Sequence, residues 1–198
     1  MAVKRILLLF IFTTTLPMAS GLAWGTARAL AAGEPPTITV QVVHSLTAYT
    51  QDASYPLVLR FAIRPGFHIN AQRPSEPDIY STGLTWEQNQ SFVFNPAIFP
   101  SPHAYKPSFA AGPMEVYDGQ LGLRVNFKVA ANATPGPHVV KAKLEFQACD
   151  EQSCLMPETL EIPVTIIVAP AGKPGKPLNI EVFRQTDMPK GKQAGGKR

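Results

Sequence analysis

The sequence predicts an all-β protein, an immunoglobulin-like antiparallel β-sandwich. Three observations carry this reading. Apolar and polar residues alternate with period two in several runs, the mark of strands with one buried face. Turn-type residues separate the runs. The 20 prolines scattered through the chain leave little room for a long helix.

The elements follow in chain order. Residues 37–47 are rich in Val, Ile and Thr. Leu57, Leu59, Phe61 and Ile63 alternate with Val58, Arg60, Ala62 and Arg64. Leu121, Leu123, Val125, Phe127 and Val129 form a further run. Val140, Ala142, Leu144 and Phe146 form the next, with Lys141, Lys143, Glu145 and Gln147 on the opposite face. Leu160, Ile162, Val164, Ile166 and Val168 make the last. Breaks occur at Pro65-Gly66, Gly112-Pro113 and Pro135-Gly136-Pro137. Asp118-Gly119, between two such runs, predicts a tight hairpin turn. Seven or eight short strands with such turns fit the sandwich class. Residues 71–82 and 99–113 are loops rich in Pro, Ser and Ala, carrying Tyr80, Phe99, Tyr105 and Phe109. Long loops of this kind are often functional. The alternative is that their aromatics cover one end of the core.

Residues 1–32 read as a signal peptide. Met1-Ala-Val-Lys-Arg5 is a short positive segment, followed by an apolar run interrupted by threonines and Pro17. A membrane anchor needs about 20 apolar residues. Small residues place the cut near Ala31 or Ala32, which leaves 166 residues, enough for one domain with a real core. Export implies an oxidising compartment, and a periplasm fits best. The formal net charge of +4 is unevenly spread. Residues 1–32 hold three basic groups and no acids. Residues 170–198 hold seven basic groups and two acids. The domain at 33–169 is therefore at −4, which argues against nucleic acid as a partner. The tail at 170–198 is rich in Gly, Pro and Lys and is expected to be mostly disordered.

Two cysteines, Cys149 and Cys154, lie between the last two alternating runs, so they are expected at the mouth of a hairpin. As a staple the pair is weak. Closing a loop of about six residues stabilises by about 2 kcal/mol on the chain-entropy model, against about 4 kcal/mol for a loop of about 60. The position favours access by another protein. Asp150, Glu151 and Glu158 disfavour a thiolate, and no Lys, Arg or His lies within the loop. The pair thus reads as a disulfide that is attacked by a partner's thiolate. Two alternatives stay open. One is a non-catalytic binding module with a structural hairpin disulfide. The other is a copper site drawing on the cysteines, Met156 and one of His44, His68, His103 or His138, although the spacing matches no zinc pattern. Phosphate-loop, dinucleotide, serine-hydrolase and zinc-protease motifs are absent.

Gln147-Ala-Cys149 and Cys154-Leu-Met-Pro157-Glu158-Thr159 resemble the cysteine motif of the N-terminal periplasmic domain of DsbD-type thiol:disulfide interchange proteins. Pro65-Gly-Phe-His-Ile-Asn70 and Glu115-Val-Tyr117 are similar to stretches of the same domains, and the resemblance covers roughly residues 35–168. It implies an immunoglobulin-like fold and a redox-active cysteine pair without small-molecule cofactor or metal. It implies electrons received from the thioredoxin-like domain of a membrane thiol reductase. Other periplasmic thiol-disulfide proteins, including those of cytochrome c maturation, would receive them. Cys154 would form the mixed disulfide and Cys149 would resolve it. An aromatic cap loop would shield the pair, with Phe109 first and Tyr105 second. The chain departs from well-known members in having four residues between the cysteines where they have five. It also lacks acidic residues in the stretch from Tyr105 to Phe109. Without the family's membrane and thioredoxin-like domains, it is expected to act as a free-standing module.

Overall fold

The computed structural model describes residues 35–74 and 78–186. The expected signal peptide and its cleavage site, and residues 187–198 of the tail, lie outside the described residues.

The Val-, Ile- and Thr-rich stretch and the four alternating runs are the long strands of the fold. They are β1 (Ile38–His44), β2 (Ser54–Ile63), β8 (Gln120–Val129), β9 (Gly136–Phe146) and β11 (Glu158–Val168). Between them lie β3 (His68–Asn70), β4 (Gly83–Trp86), β5 (Phe92–Phe94), β6 (His103–Tyr105), β7 (Met114–Asp118) and β10 (Ala148–Cys149). One short helix, α1 (Ile180–Thr186), follows.

The strands form three antiparallel sheets, ordered β1-β2-β8-β5, β11-β9-β4 and β10-β3-β7-β6. The first two face each other as the immunoglobulin-like sandwich. Leu57, Leu59 and Phe61 of β2 and Leu121, Leu123 and Phe127 of β8 point inward from one sheet. Val140, Ala142 and Leu144 of β9 and Ile162, Val164 and Ile166 of β11 meet them from the other. Period-two alternation puts each set on a single face, and removing these side chains from water is the main stabilising term.

The third sheet is built from continuations of the long strands. β3 follows β2 across the Pro65-Gly66 bend, where Gly66 has φ +86°. β7 runs into β8, and β10 follows β9 after Gln147. All three junctions lie at the same end of the sandwich, where Ala62 pairs with Gln120 and Phe146 pairs with Glu158. This end carries the cysteines.

Two expectations need correction. Asp118-Gly119 is not a hairpin turn, because β7 and β8 belong to different sheets. Gly119 has φ +57° and its carbonyl accepts the Ile63 N–H, so it is the kink by which the chain passes from the small sheet into the sandwich. The first part of the tail is also ordered. Leu46 bridges Pro177, the Thr47 N–H donates to the Lys176 carbonyl at 2.9 Å, and the Leu178 N–H donates to the Ser45 carbonyl at 2.8 Å. Gly175 allows this close approach, because a Cβ there would collide with the backbone of Ala48.

Candidate functional site: the cysteine loop

β9 and β11 form the expected hairpin, in register from Gly136–Val168 to Phe146–Glu158. Beyond Phe146 the two chains separate. Ala148 and Cys149 turn away to pair with Ile69 and His68 of β3. Cys154 returns to form an antiparallel bridge with Cys149, and the two are joined by a disulfide of 2.09 Å. Asp150 shapes the turn between them. Its carboxylate accepts the N–H groups of Gln152 and Ser153, each at 2.8 Å, and its own N–H donates to the Ser153 carbonyl at 2.9 Å. The Gln152 and Ser153 donors hold the Asp150 carboxyl below its ordinary pKa. The acidic neighbour of Cys149 is therefore also the residue that folds the loop. On the return side, the Leu155 N–H donates to the Ala148 carbonyl at 2.8 Å, and Gln147 Nε2 donates to the Leu155 carbonyl at 3.0 Å.

The two sulfurs sit in different environments. Cys149 is 0% exposed. Cys154 is exposed, and beside it stand Leu155 and Met156, the latter 81% exposed. Residue exposure therefore favours Cys154 over Cys149 as the point of approach for an incoming thiolate.

The small sheet supplies what lies behind Cys149. His68 is its cross-strand partner, and on its other side His68 pairs with Asp118 of β7. His68 is 4% exposed, and its Nε2 has no hydrogen-bond partner. Burial pushes the His68 pKa down, against the opposing pull of Glu151, Asp118 and Asp150. Asn70 is 1% exposed; its Nδ2 donates to the Tyr80 carbonyl at 2.9 Å, while its Oδ1 is unpartnered. Thr82 Oγ1 donates to the Asn70 carbonyl at 2.6 Å and fixes the end of β3.

Both expected cap aromatics border the site. The Tyr105 ring packs against the His68 ring with centroids 4.6 Å apart, and its hydroxyl donates to the Glu151 carboxylate. That hydrogen bond holds the Tyr105 phenol above its ordinary pKa. The Ser108 hydroxyl donates to the Glu151 carbonyl. The loop is thus tied to the cysteine turn on the Cys149 side. Phe109, 43% exposed, lines a cavity of about 280 Å³ on the Cys154 side, with Asn70, Met114 and Gln147 among the other walls. Residues 105–109 hold no acid, and the carboxylate that Tyr105 meets is Glu151 of the cysteine loop.

Of the four histidines, His68 alone adjoins the disulfide. His44 Nδ1 lies 3.3 Å from the Tyr49 hydroxyl, His103 Nε2 lies 3.4 Å from Asp118 Oδ2, and His138 Nε2 meets the Thr134 carbonyl at 2.7 Å. Among the described residues no group of three or more His, Cys, Asp or Glu side chains is placed to hold a metal ion. Also among the described residues, no helix is long and apolar enough to cross a membrane.

Sequence reasoning missed three parts of this site: the role of His68 beside Cys149, the buried Asn70, and the position of Asp118. Only the Pro65-to-Asn70 stretch carried a signal, and it did so through resemblance.

The model of the family described as the N-terminal domain of thiol:disulfide interchange protein DsbD matches residues 35–166. No curated protein matches the chain. Among solved structures, the reduced N-terminal domain of DsbD from Neisseria meningitidis is 18% identical, with a TM-score of 0.39, over 68% of this chain and 90% of its own. The N-terminal periplasmic domain of ScsB from Proteus mirabilis is 14% identical, with a TM-score of 0.48, over 79% of this chain and 55% of its own. The family match covers well over half of the sequence and includes both cysteines, His68, Tyr105 and Phe109: the chain belongs to the family of the N-terminal domain of the thiol:disulfide interchange protein DsbD.

Proposed function

We propose that this protein is a periplasmic electron carrier that exchanges its Cys149–Cys154 disulfide with thioredoxin-like proteins. The observation that carries the reading is the asymmetry of the pair. Cys149 is fully buried and Cys154 is exposed beside Leu155 and Met156. In the oxidised form a partner's thiolate attacks Cys154 Sγ, and Cys149 leaves as the thiolate. A second partner thiolate then releases the carrier in its dithiol form. In the reverse direction Cys154 attacks a partner's disulfide and Cys149 resolves the mixed disulfide. Two electrons pass in each case.

The partners we assign are the thioredoxin-like domain of a membrane thiol reductase as donor and periplasmic thiol-disulfide proteins as acceptors. The exposed apolar side chains next to Cys154 suit docking of such a domain, whose own active cysteine must approach within bonding distance. The low net charge of the domain favours contact through this apolar patch over electrostatic capture.

The deciding measurement is the reduction potential, taken by equilibrating the protein against glutathione buffers. An exchange carrier is expected above about −300 mV. A value far below about −300 mV marks a disulfide that resists the glutathione pool and returns the pair to a structural role.

A further inference from the structure

His68 stands directly opposite Cys149 in one strand pairing and directly opposite Asp118 in the next. Residues opposed in an antiparallel ladder share a face, with Cβ atoms about 4.5–5.5 Å apart. The register therefore sets Cys149, His68 and Asp118 abreast across β10, β3 and β7. His68 is buried, its Nε2 has no partner, and the Tyr105 ring covers it. A buried nitrogen left unpaired is costly and rare.

This state is the oxidised one, in which neither sulfur carries a proton. Reduction changes that. It turns Cys149 into a thiol, frees rotation about its Cα–Cβ bond, and brings an S–H donor next to the orphaned nitrogen. We propose that His68 is the proton acceptor for Cys149 when this cysteine resolves a mixed disulfide. The proposal rests on the exchange reading above.

The step balances as follows. The Cys149 S–H bond breaks and the proton passes to His68 Nε2. The Cys149 sulfur attacks Cys154 Sγ, and the Cys149–Cys154 bond forms. The bond from Cys154 to the partner breaks, and the partner's sulfur leaves as a thiolate with the electron pair. The carrier is oxidised and the partner reduced. Burial keeps His68 neutral beforehand, so that it is free to accept. The charged and titratable groups around it are Asp150 and Glu151 from the cysteine loop, Asp118 from β7, and His103 and Tyr105 from β6. The three carboxylates favour the imidazolium once it forms. Asp118 acts on His68 through charge alone, since its carboxylate lies 3.4 Å from His103 Nε2.

The test uses the reduced full-length protein and one equivalent of 5,5′-dithiobis(2-nitrobenzoate). The first nitrothiobenzoate is released when Cys154 is modified, and the second when Cys149 resolves that mixed disulfide. The second release is a first-order step that needs no natural partner. In His68→Phe it should slow at neutral pH by at least about tenfold, and its pH profile should shift to the range of an unassisted thiol, about 8.5. His68→Gln, which can accept a hydrogen bond but not hold a proton, should behave in the same way and guards against misfolding of the first variant. The first release should be unchanged in both. An unaltered second step and profile in the variants overturns the proposal, and so does full rescue by Gln. The exchange reading stands or falls separately, on the reduction potential. A potential far below about −300 mV with a His68-dependent second step would remove the relay role and leave the proton acceptor in place.

Discussion

Replacing each cysteine singly tests the asymmetry of the pair. Cys149→Ala leaves an exposed thiol at Cys154, and Cys154→Ala leaves a buried one at Cys149. For Cys149 to react with an outside reagent, the loop must lift. Four hydrogen bonds anchor it: Leu155 N–H to the Ala148 carbonyl at 2.8 Å, Gln147 Nε2 to the Leu155 carbonyl at 3.0 Å, and the Tyr105 and Ser108 hydroxyls to Glu151. At about 1 kcal/mol net for each, lifting costs about 4 kcal/mol. Each 1.4 kcal/mol is a factor of about ten, so the buried thiol should react about 700-fold more slowly. The assay is the second-order rate with an aromatic disulfide reagent, in buffer and in denaturing urea. In urea the two variants should converge, because only intrinsic thiol reactivity remains. In buffer, Cys149→Ala should also trap a mixed disulfide with a thioredoxin-like dithiol protein. Rates within about threefold of each other in buffer would refute the argument from burial. A faster Cys154→Ala variant would reverse the two roles.

Further outcomes concern the cap and the turn. Phe109→Ala opens the cavity wall beside Cys154 and should speed reduction by a small thiol about three- to tenfold, as loss of one partly exposed aromatic contact implies; an unchanged rate excludes Phe109 as a shield. Asp150 should make the loop sensitive to acid. Its folded pKa is depressed below the ordinary value of about 3.8 by the Gln152 and Ser153 donors. A depressed carboxylate contributes stability that is present above its unfolded pKa and lost as pH falls through the folded value. Reduction by a water-soluble phosphine should therefore accelerate below about pH 3.8. Asp150→Ala should show the faster rate already at neutral pH, and a flat acid profile in the unaltered protein would contradict this account.

Periodicity reached the long strands and stopped there. β1, β2, β8, β9 and β11 each run for seven to eleven residues, long enough for alternation to appear. β3, β5, β6 and β10 have two or three residues, too few to show a period. These short strands exist because distant segments pair, and no local pattern records that. The same limit governs the site. The hairpin at the cysteines was legible, because both flanking strands are long. The His68–Cys149 pairing was not, because it joins two of the shortest strands in the chain. Asp118-Gly119 misled for a related reason. A turn signal between apolar residues reads as a hairpin, but the kink at Gly119 hands the chain from one sheet to another. The tail misled through composition. Its Gly and Pro content argued for disorder, yet residues 176–178 gain backbone partners at residues 45–47.

Those same partners close a seam. β1 and β11 are the outer strands of the two facing sheets, and an outer strand exposes a ladder of unsatisfied backbone groups that invites another molecule's strand. Here Tyr49 donates to Ile167 and accepts from Ala169, each at 2.8 Å, so that residues 45–49 lace the margin of one sheet to the other. The stretch around Lys176 then lies along their outer side. Such a margin is open to runaway strand exchange between molecules. Where residues 45–49, 167–169 and 176–178 meet, the chain fills the vacancy with its own backbone, and strand addition is blocked over that stretch.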